Sequence, residues 1–193
     1  MLLHRKLKVW VDVSFPVIDV NAILAGIVES RTIPEGFASC SPLANLNINS
    51  TALNIPSYNC NQQELSVFDL SYFKKLETVY VDSNAAKWAG MFYIGGLPRL
   101  RSIYIGFRSF TLYPDDQAIN RTRTFLVENC VQLKTIEISP FSFTDYSGSF
   151  EIRNLPLLQS LVIGSTYILH YSYIGAFCPF RLYSIFIMHF SFF

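Results

Sequence analysis

The sequence predicts an α/β to mostly β fold, a solenoid of short parallel strands with irregular repeats of 24 and 33 residues. Three observations support this prediction. One short apolar motif recurs five times, its upstream neighbours repeat in the same register, and 51% of the 193 residues are apolar. A unit of this size cannot bury its apolar side alone, whereas stacked units bury a continuous core.

The recurring motif is a leucine followed by apolar residues three and five positions later. The leading leucines are separated by 33, 24, 33 and 25 residues, and they are Leu43, Leu76, Leu100, Leu133 and Leu158. The positions three and six residues before each leucine are also apolar. The final step of two is typical of a strand, whose alternate side chains share one face. We therefore expect five parallel rungs near residues 46, 79, 103, 136 and 161.

The motif resembles the leucine-rich repeat, L-x-x-L-x-L-x-x-N-x-L. One unit matches this pattern up to and including the asparagine, namely Leu76-x-x-Val79-x-Val81-x-x-Asn84. The first unit resembles the irregular, BspA-like class of this repeat through the run Phe37-x-x-Cys40-x-x-Leu43-x-x-Leu46-x-Ile48. The resemblance covers roughly residues 35–168. It implies a solenoid whose strand face binds other proteins.

Three regions follow from this pattern. Residues 1–34 are predicted to form a strand and an amphipathic helix. This helix is expected to cap the solenoid, which spans residues 35–168. Its apolar face consists of Val20, Ile23, Leu24, Ile27 and Val28. Residues 169–193 form an aromatic tail with three alternative interpretations. It is a degenerate sixth unit with a strand near Ile185–Ile187, a gene-model artefact, or a segment that contacts a membrane.

The N-terminus lacks the uninterrupted apolar core of a signal peptide, so the default localisation is cytoplasmic, with the four cysteines reduced. Two glycosylation sequons begin at Asn49 and Asn120, and they matter only in a secreted chain. A cell-surface or membrane-attached recognition protein, or a fragment of one, is the alternative to an intracellular module.

The sequence predicts a non-catalytic function with no catalytic, cofactor or metal site. No motif for nucleophilic, phosphate or zinc chemistry is present, and the net charge of +1 lacks the signature of a nucleic-acid binder. Membrane contact is expected only through the tail.

The predicted partner is a protein or peptide bound on the outward strand positions, with Tyr80 and Tyr104 as adjacent anchors. The candidate partner-binding residues are Asn47, Thr78, Tyr80, Asp82, Arg101, Tyr104 and Glu137. The alternative is that Ser, Thr and Tyr are simply favourable residues for an exposed strand face.

Overall fold

The computed structural model describes residues 33–112, 122–146, 148–164 and 187–189. These residues form mostly parallel strands in two sheets, with few helical residues. The helical segments are a 3₁₀ helix, Glu35–Ser39, and a short α-helix, Ser41–Ala44. The coarse prediction of a mostly β chain with parallel strands is confirmed.

Within the described ranges, the first sheet has six strands. In spatial order they are β1 (Ala52–Ile55), β3 (Thr78–Val81), β5 (Ser102–Ile105), β7 (Thr135–Ile138), β9 (Ser160–Ile163) and β10 (Ile187–His189). The first five pair in parallel, and β10 pairs antiparallel with β9. Four of these strands coincide with the rungs predicted near residues 79, 103, 136 and 161.

The second sheet, as far as the structure describes the chain, has four strands, all parallel. They are β2 (Val67–Asp69), β4 (Met91–Gly95), β6 (Thr124–Glu128) and β8 (Ser149–Arg153). Along the chain, successive strands from β1 to β9 belong alternately to the first and second sheets. From β1 to β7, each strand therefore pairs with the strand that lies two places later in the sequence.

The core between the sheets contains stacked phenylalanines. Phe68, Phe92, Phe125 and Phe150 occupy matching positions on the second sheet, and their successive ring centroids are 5.4, 4.8 and 4.2 Å apart. Phe110 and Phe143 form a second stack that meets the first edge to face. Phe110 and Phe143 belong to the segments that follow β5 and β7, and both rings are fully buried.

The corners between the two sheets combine left-handed backbone with buried serine hydroxyls. Asn84, Arg108 and Phe141 follow successive strands of the first sheet and all have positive φ angles, between 54° and 63°. Ser109 directly follows Arg108, and Ser142 directly follows Phe141. Each of these serine hydroxyls donates a hydrogen bond to a backbone carbonyl of the preceding unit. These hydroxyls satisfy buried backbone groups that the two ladders leave unpaired.

The prediction for the first unit is wrong. Residues 41–44 are helical, the first strand lies at 52–55 instead of near residue 46, and Ile48 is 59% exposed. Leu53 and Ile55 are the buried residues of this strand, and they are the register partners of Val79 and Val81. Ser41–Pro42 begins a helix because proline is favoured in a first helical turn, and a polar turn over residues 47–50 then delays the strand.

The prediction of reduced thiols is wrong for one pair of cysteines. Cys40 and Cys60 form a disulfide, with their Cα atoms 4.7 Å apart. It ties the end of the 3₁₀ helix to the segment that precedes β2. Cys130 carries a free, buried thiol, as expected for a core position.

The predicted N-terminal cap lies outside the described residues, apart from residues 33–34, and so does most of the tail. The described part of the tail, β10, is antiparallel to β9, whereas a sixth unit would pair in parallel. Within the described ranges, the structure contains no helix long and apolar enough to cross a membrane.

Candidate binding face on the six-stranded sheet

The outward side chains of the first sheet form columns that run across the parallel strands. The first column consists of Ala52, Thr78, Ser102, Thr135 and Ser160. The second consists of Asn54, Tyr80, Tyr104, Glu137 and Val162. The side chains of the first column are small and mainly polar. Those of the second column are larger, so they extend further from the sheet.

Tyr80 and Tyr104 stack on each other at the centre of this face. They are register partners on β3 and β5, with ring centroids 4.8 Å apart and an interplanar angle of 9°. Tyr80 is 42% exposed, and Tyr104 is half-buried. The Ser139 hydroxyl donates to the Tyr104 phenol oxygen at 3.4 Å. Partial burial raises the pKa of the Tyr80 phenol above its ordinary value, and the nearby Asp82 carboxylate and Tyr104 phenol add to this effect.

Asp82 places a carboxylate beside this tyrosine pair, at the end of β3. Hydrogen bonds from the Ser57 hydroxyl and from the backbone N–H of Ser83, at 2.7 Å, lower the pKa of Asp82. The neighbouring position on the next unit is Gly106, where a Cβ atom would lie 2.6 Å from the Asp82 carbonyl carbon. The lack of a side chain at this position allows the corner containing Asp82 to pack closely.

Glu137 provides a second carboxylate, on the other side of the tyrosines. It is exposed and is the register partner of Tyr104 on β7. Neighbouring strands lie about 4.8 Å apart, so the Glu137 carboxylate can reach a group seated on the Tyr104 ring. The two tyrosines are thus flanked by two acidic side chains.

The rim at the start of the strands carries opposite charges. Arg101 immediately precedes β5, and its Nε lies 3.8 Å from Glu77 Oε2, with both side chains well exposed. Such a long exposed ion pair contributes at most about 1 kcal/mol. The Arg101 side chain is therefore able to leave Glu77 for a ligand.

Five of the predicted partner-binding residues share the face: Thr78, Tyr80, Asp82, Tyr104 and Glu137. Arg101 lies at its rim. The placement of Asn47 on the face is wrong, because it lies in the turn before β1, and Asn54 occupies the matching column. The alternation of apolar, polar and apolar residues at Leu53, Asn54 and Ile55 is the sequence signal that could have located this strand.

No other part of the described chain offers a stronger site. The described residues contain no cluster of three or more His, Cys, Asp or Glu side chains placed to hold a metal ion. A depression near the start of the second sheet is lined in part by Trp88, Met91 and Arg123. The Arg123 guanidinium already pairs with Asp145 at 3.0 Å, so it is not available to a ligand.

Comparison with models of protein families, with curated proteins and with solved structures finds no match to this chain. The function is therefore argued from the geometry and chemistry of the face.

Proposed function

We propose that this chain is a non-catalytic interaction module that binds a protein or peptide on the outer face of its six-stranded sheet. The observation that carries the proposal is the stack of an exposed Tyr80 on a half-buried Tyr104, between two carboxylates. Aromatic residues dominate binding energy in protein interfaces because they offer a large contact area with few rotatable bonds.

We also infer that the two sheets are opposite walls of one leucine-rich-repeat solenoid of the irregular, BspA-like type. The alternation of successive strands between the sheets supports this inference, as does the matched register of four units. In such a coil, the first sheet is the face on which partners are bound.

The stacked arrangement favours binding because it limits the entropy that a partner must overcome. Each ring restricts the rotation of its neighbour, and the Ser139 hydroxyl contacts the phenol oxygen of Tyr104. Immobilising a free side chain in an interface costs about 0.5–1.5 kcal/mol. Two rings that are already ordered avoid part of this cost.

The charges of the face favour a partner segment that carries Arg or Lys. A cation above a tyrosine ring gains about 0.5–2 kcal/mol, depending on how far it is desolvated. Asp82 lies beyond Tyr80 along β3, and Glu137 lies beside Tyr104 on β7. A basic side chain seated on either ring would therefore have a carboxylate within reach.

A random peptide library selected on the immobilised full chain tests this proposal. We expect the selected peptides to be rich in Arg and Lys and to lose at least tenfold in affinity for a Tyr80→Ala/Tyr104→Ala variant. Glu137→Gln should weaken binding less. Tyr72→Ala is the matched control, because Tyr72 is 41% exposed but lies outside the face, next to Phe73.

The circular dichroism and melting temperature of the double variant should remain close to those of the wild type, since both rings stand on the outer face of the sheet. Selected peptides that bind this folded variant as tightly as the wild type would refute the tyrosine face. Peptides without basic residues that still require both tyrosines would refute only the inferred charge of the partner.

A second candidate, an extracellular or cell-surface recognition protein, is favoured by the Cys40–Cys60 disulfide. Disulfides persist mainly in oxidising compartments. Localisation of the tagged full-length product, together with alkylation of thiols in intact cells, tests this candidate. An oxidised pair in a product outside the cytosol supports it, and a reduced pair in a cytosolic product contradicts it.

A further inference from the structure

The turn before β1 carries one of the two glycosylation sequons, Asn49-Ser50-Thr51. It lies within the 20-residue segment that the Cys40–Cys60 disulfide closes. Asparagine in Asn-x-Ser/Thr accepts N-linked glycans when it lies on the surface of a secreted protein. Disulfide formation and N-glycosylation both belong to the secretory pathway, so two independent features of one segment indicate the same compartment.

We propose that Asn49 is an N-glycosylation site in a chain that folds in an oxidising compartment. The proposal rests on the second candidate function, that of an extracellular protein, and is independent of peptide binding by the tyrosine face.

The surroundings of Asn49 leave room for a glycan. Its side chain is exposed, as are those of its neighbours Ile48 and Thr51. The turn is held by contacts that do not use the Asn49 carboxamide. The N–H of Asn49 donates to Asn47 Oδ1 at 2.9 Å, and the N–H of Asn47 donates to Ser50 Oγ at 3.0 Å. A glycan on the side chain would therefore preserve the hydrogen bonds that shape the turn.

The orientation of the Asn49 carboxamide follows from its contact with Lys75. The ammonium of Lys75 lies 2.6 Å from Asn49 Oδ1. An ammonium can only donate hydrogen bonds, so the atom that faces it must be the oxygen. The nitrogen, Nδ2, is then directed away from Lys75. A glycan on Nδ2 leaves Oδ1 intact, so the contact with Lys75 survives the modification.

The donor for this reaction is an oligosaccharide linked to a lipid diphosphate. A bond forms between Asn49 Nδ2 and C1 of the first sugar, and the bond from C1 to the diphosphate oxygen breaks. The electron pair of that bond leaves with the lipid diphosphate, and the amide gives up one proton. No atom is oxidised or reduced, and the second amide hydrogen remains on Nδ2.

The glycan would also protect the edge of the first sheet. Among the residues that the structure describes, β1 is the edge strand of this sheet, and Asn49 lies three residues before it. Exposed edge strands can pair with a second copy of a chain, and proteins commonly block them with bulky or charged groups. A glycan at this position would restrict such pairing while leaving Tyr80 and Tyr104 accessible on the inner strands.

The test is to direct the full chain into the secretory pathway of a eukaryotic cell with an appended signal sequence. Site occupancy is then measured by glycosidase-dependent mobility and by peptide mass spectrometry. We expect a glycan on Asn49 in the wild type and in Asn120→Gln, which removes the other sequon. Asn49→Gln and Thr51→Ala should lose it, and the conservative Thr51→Ser should retain it.

Absence of a glycan on Asn49 in both the wild type and Asn120→Gln would overturn the proposal, whether or not the Cys40–Cys60 disulfide has formed. Retention of the glycan on Asn49 in Thr51→Ala would also overturn it, because the attachment would then not depend on the sequon. Neither result bears on the peptide selection, so failure of this inference is distinguishable from failure of the tyrosine face.

Discussion

Arg123 and Asp145 form an ion pair with Nη1 and Oδ2 3.0 Å apart, and their side chains are only 5% and 8% exposed. Arg123 immediately precedes β6, whereas Asp145 lies in the turn after β7. The same guanidinium donates to the Lys87 carbonyl at 3.2 Å. One buried cation thus connects three successive segments near the start of the second sheet.

Arg123→Ala should lower the free energy of unfolding by about 3–5 kcal/mol, because it leaves the Asp145 carboxylate buried without its cation. One oxygen of that carboxylate, Oδ1, already has no hydrogen-bond partner among the described residues. Chemical denaturation measures the loss. Arg153→Ala is the control, since Arg153 is 52% exposed and pairs with Glu128 at the surface. Equal losses for the two variants would contradict this account.

The Cys40–Cys60 disulfide should stabilise the fold by about 3 kcal/mol, because it closes a loop of 20 residues in the unfolded chain. Reduction, or the Cys40→Ala/Cys60→Ala variant, should therefore lower the melting temperature. The control is Cys130→Ala, which should keep the wild-type response to reductant. A melting temperature that does not change on reduction would show that the bond does not constrain the unfolded chain.

Ser109→Ala should cost about 2–4 kcal/mol of stability, because a buried backbone N–H and a partly buried carbonyl lose their partner. The Ser109 hydroxyl donates to the Asp82 carbonyl at 2.7 Å and accepts from the Ala85 N–H at 3.2 Å. The comparison is Ser102→Ala on the outer strand face, where the change should stay within about 0.5 kcal/mol. Denaturation of the two variants side by side measures the difference.

The sequence predicted most of the first sheet because the side chains that set its register are also those that the core must bury. Val79, Ile103, Ile136 and Leu161 are all buried, at the positions that the motif indicates. The same reasoning failed at Leu46 and Ile48, where the spacing matched but both residues alternate with asparagines, at positions 45, 47 and 49, that suit a turn. Apolar spacing alone could not distinguish a strand from a helix followed by a turn.

The second sheet and the disulfide were not predicted. The phenylalanine column that begins at Phe68 was visible in the sequence, but three-residue strands such as β2 are too short for alternation to be recognised. Cys40 and Cys60 lie 20 residues apart in the sequence, and no spacing motif marks them as partners, so their contact is visible only in the fold. The tyrosine pair was predicted because both rings belong to units whose register was correct.

Cys130 should make stability depend on alkaline pH. Burial raises the pKa of its thiol from 9.0 to about 11. Because the folded-state pKa lies above the unfolded one, the stabilising contribution is complete below pH 9 and is lost as the pH rises through 11. The free energy of unfolding should therefore fall between these pH values by up to about 3 kcal/mol more in the wild type than in Cys130→Ala.

Denaturation curves at pH 8, 9, 10 and 11 for both proteins measure this difference, and tyrosine and lysine titrations common to both cancel in it. The native thiol should also react slowly with iodoacetamide at pH 8, because both the buried position and the raised pKa disfavour the reactive thiolate. Parallel pH profiles for the two proteins, or rapid alkylation of the folded chain, would place Cys130 at an accessible position instead of in the core.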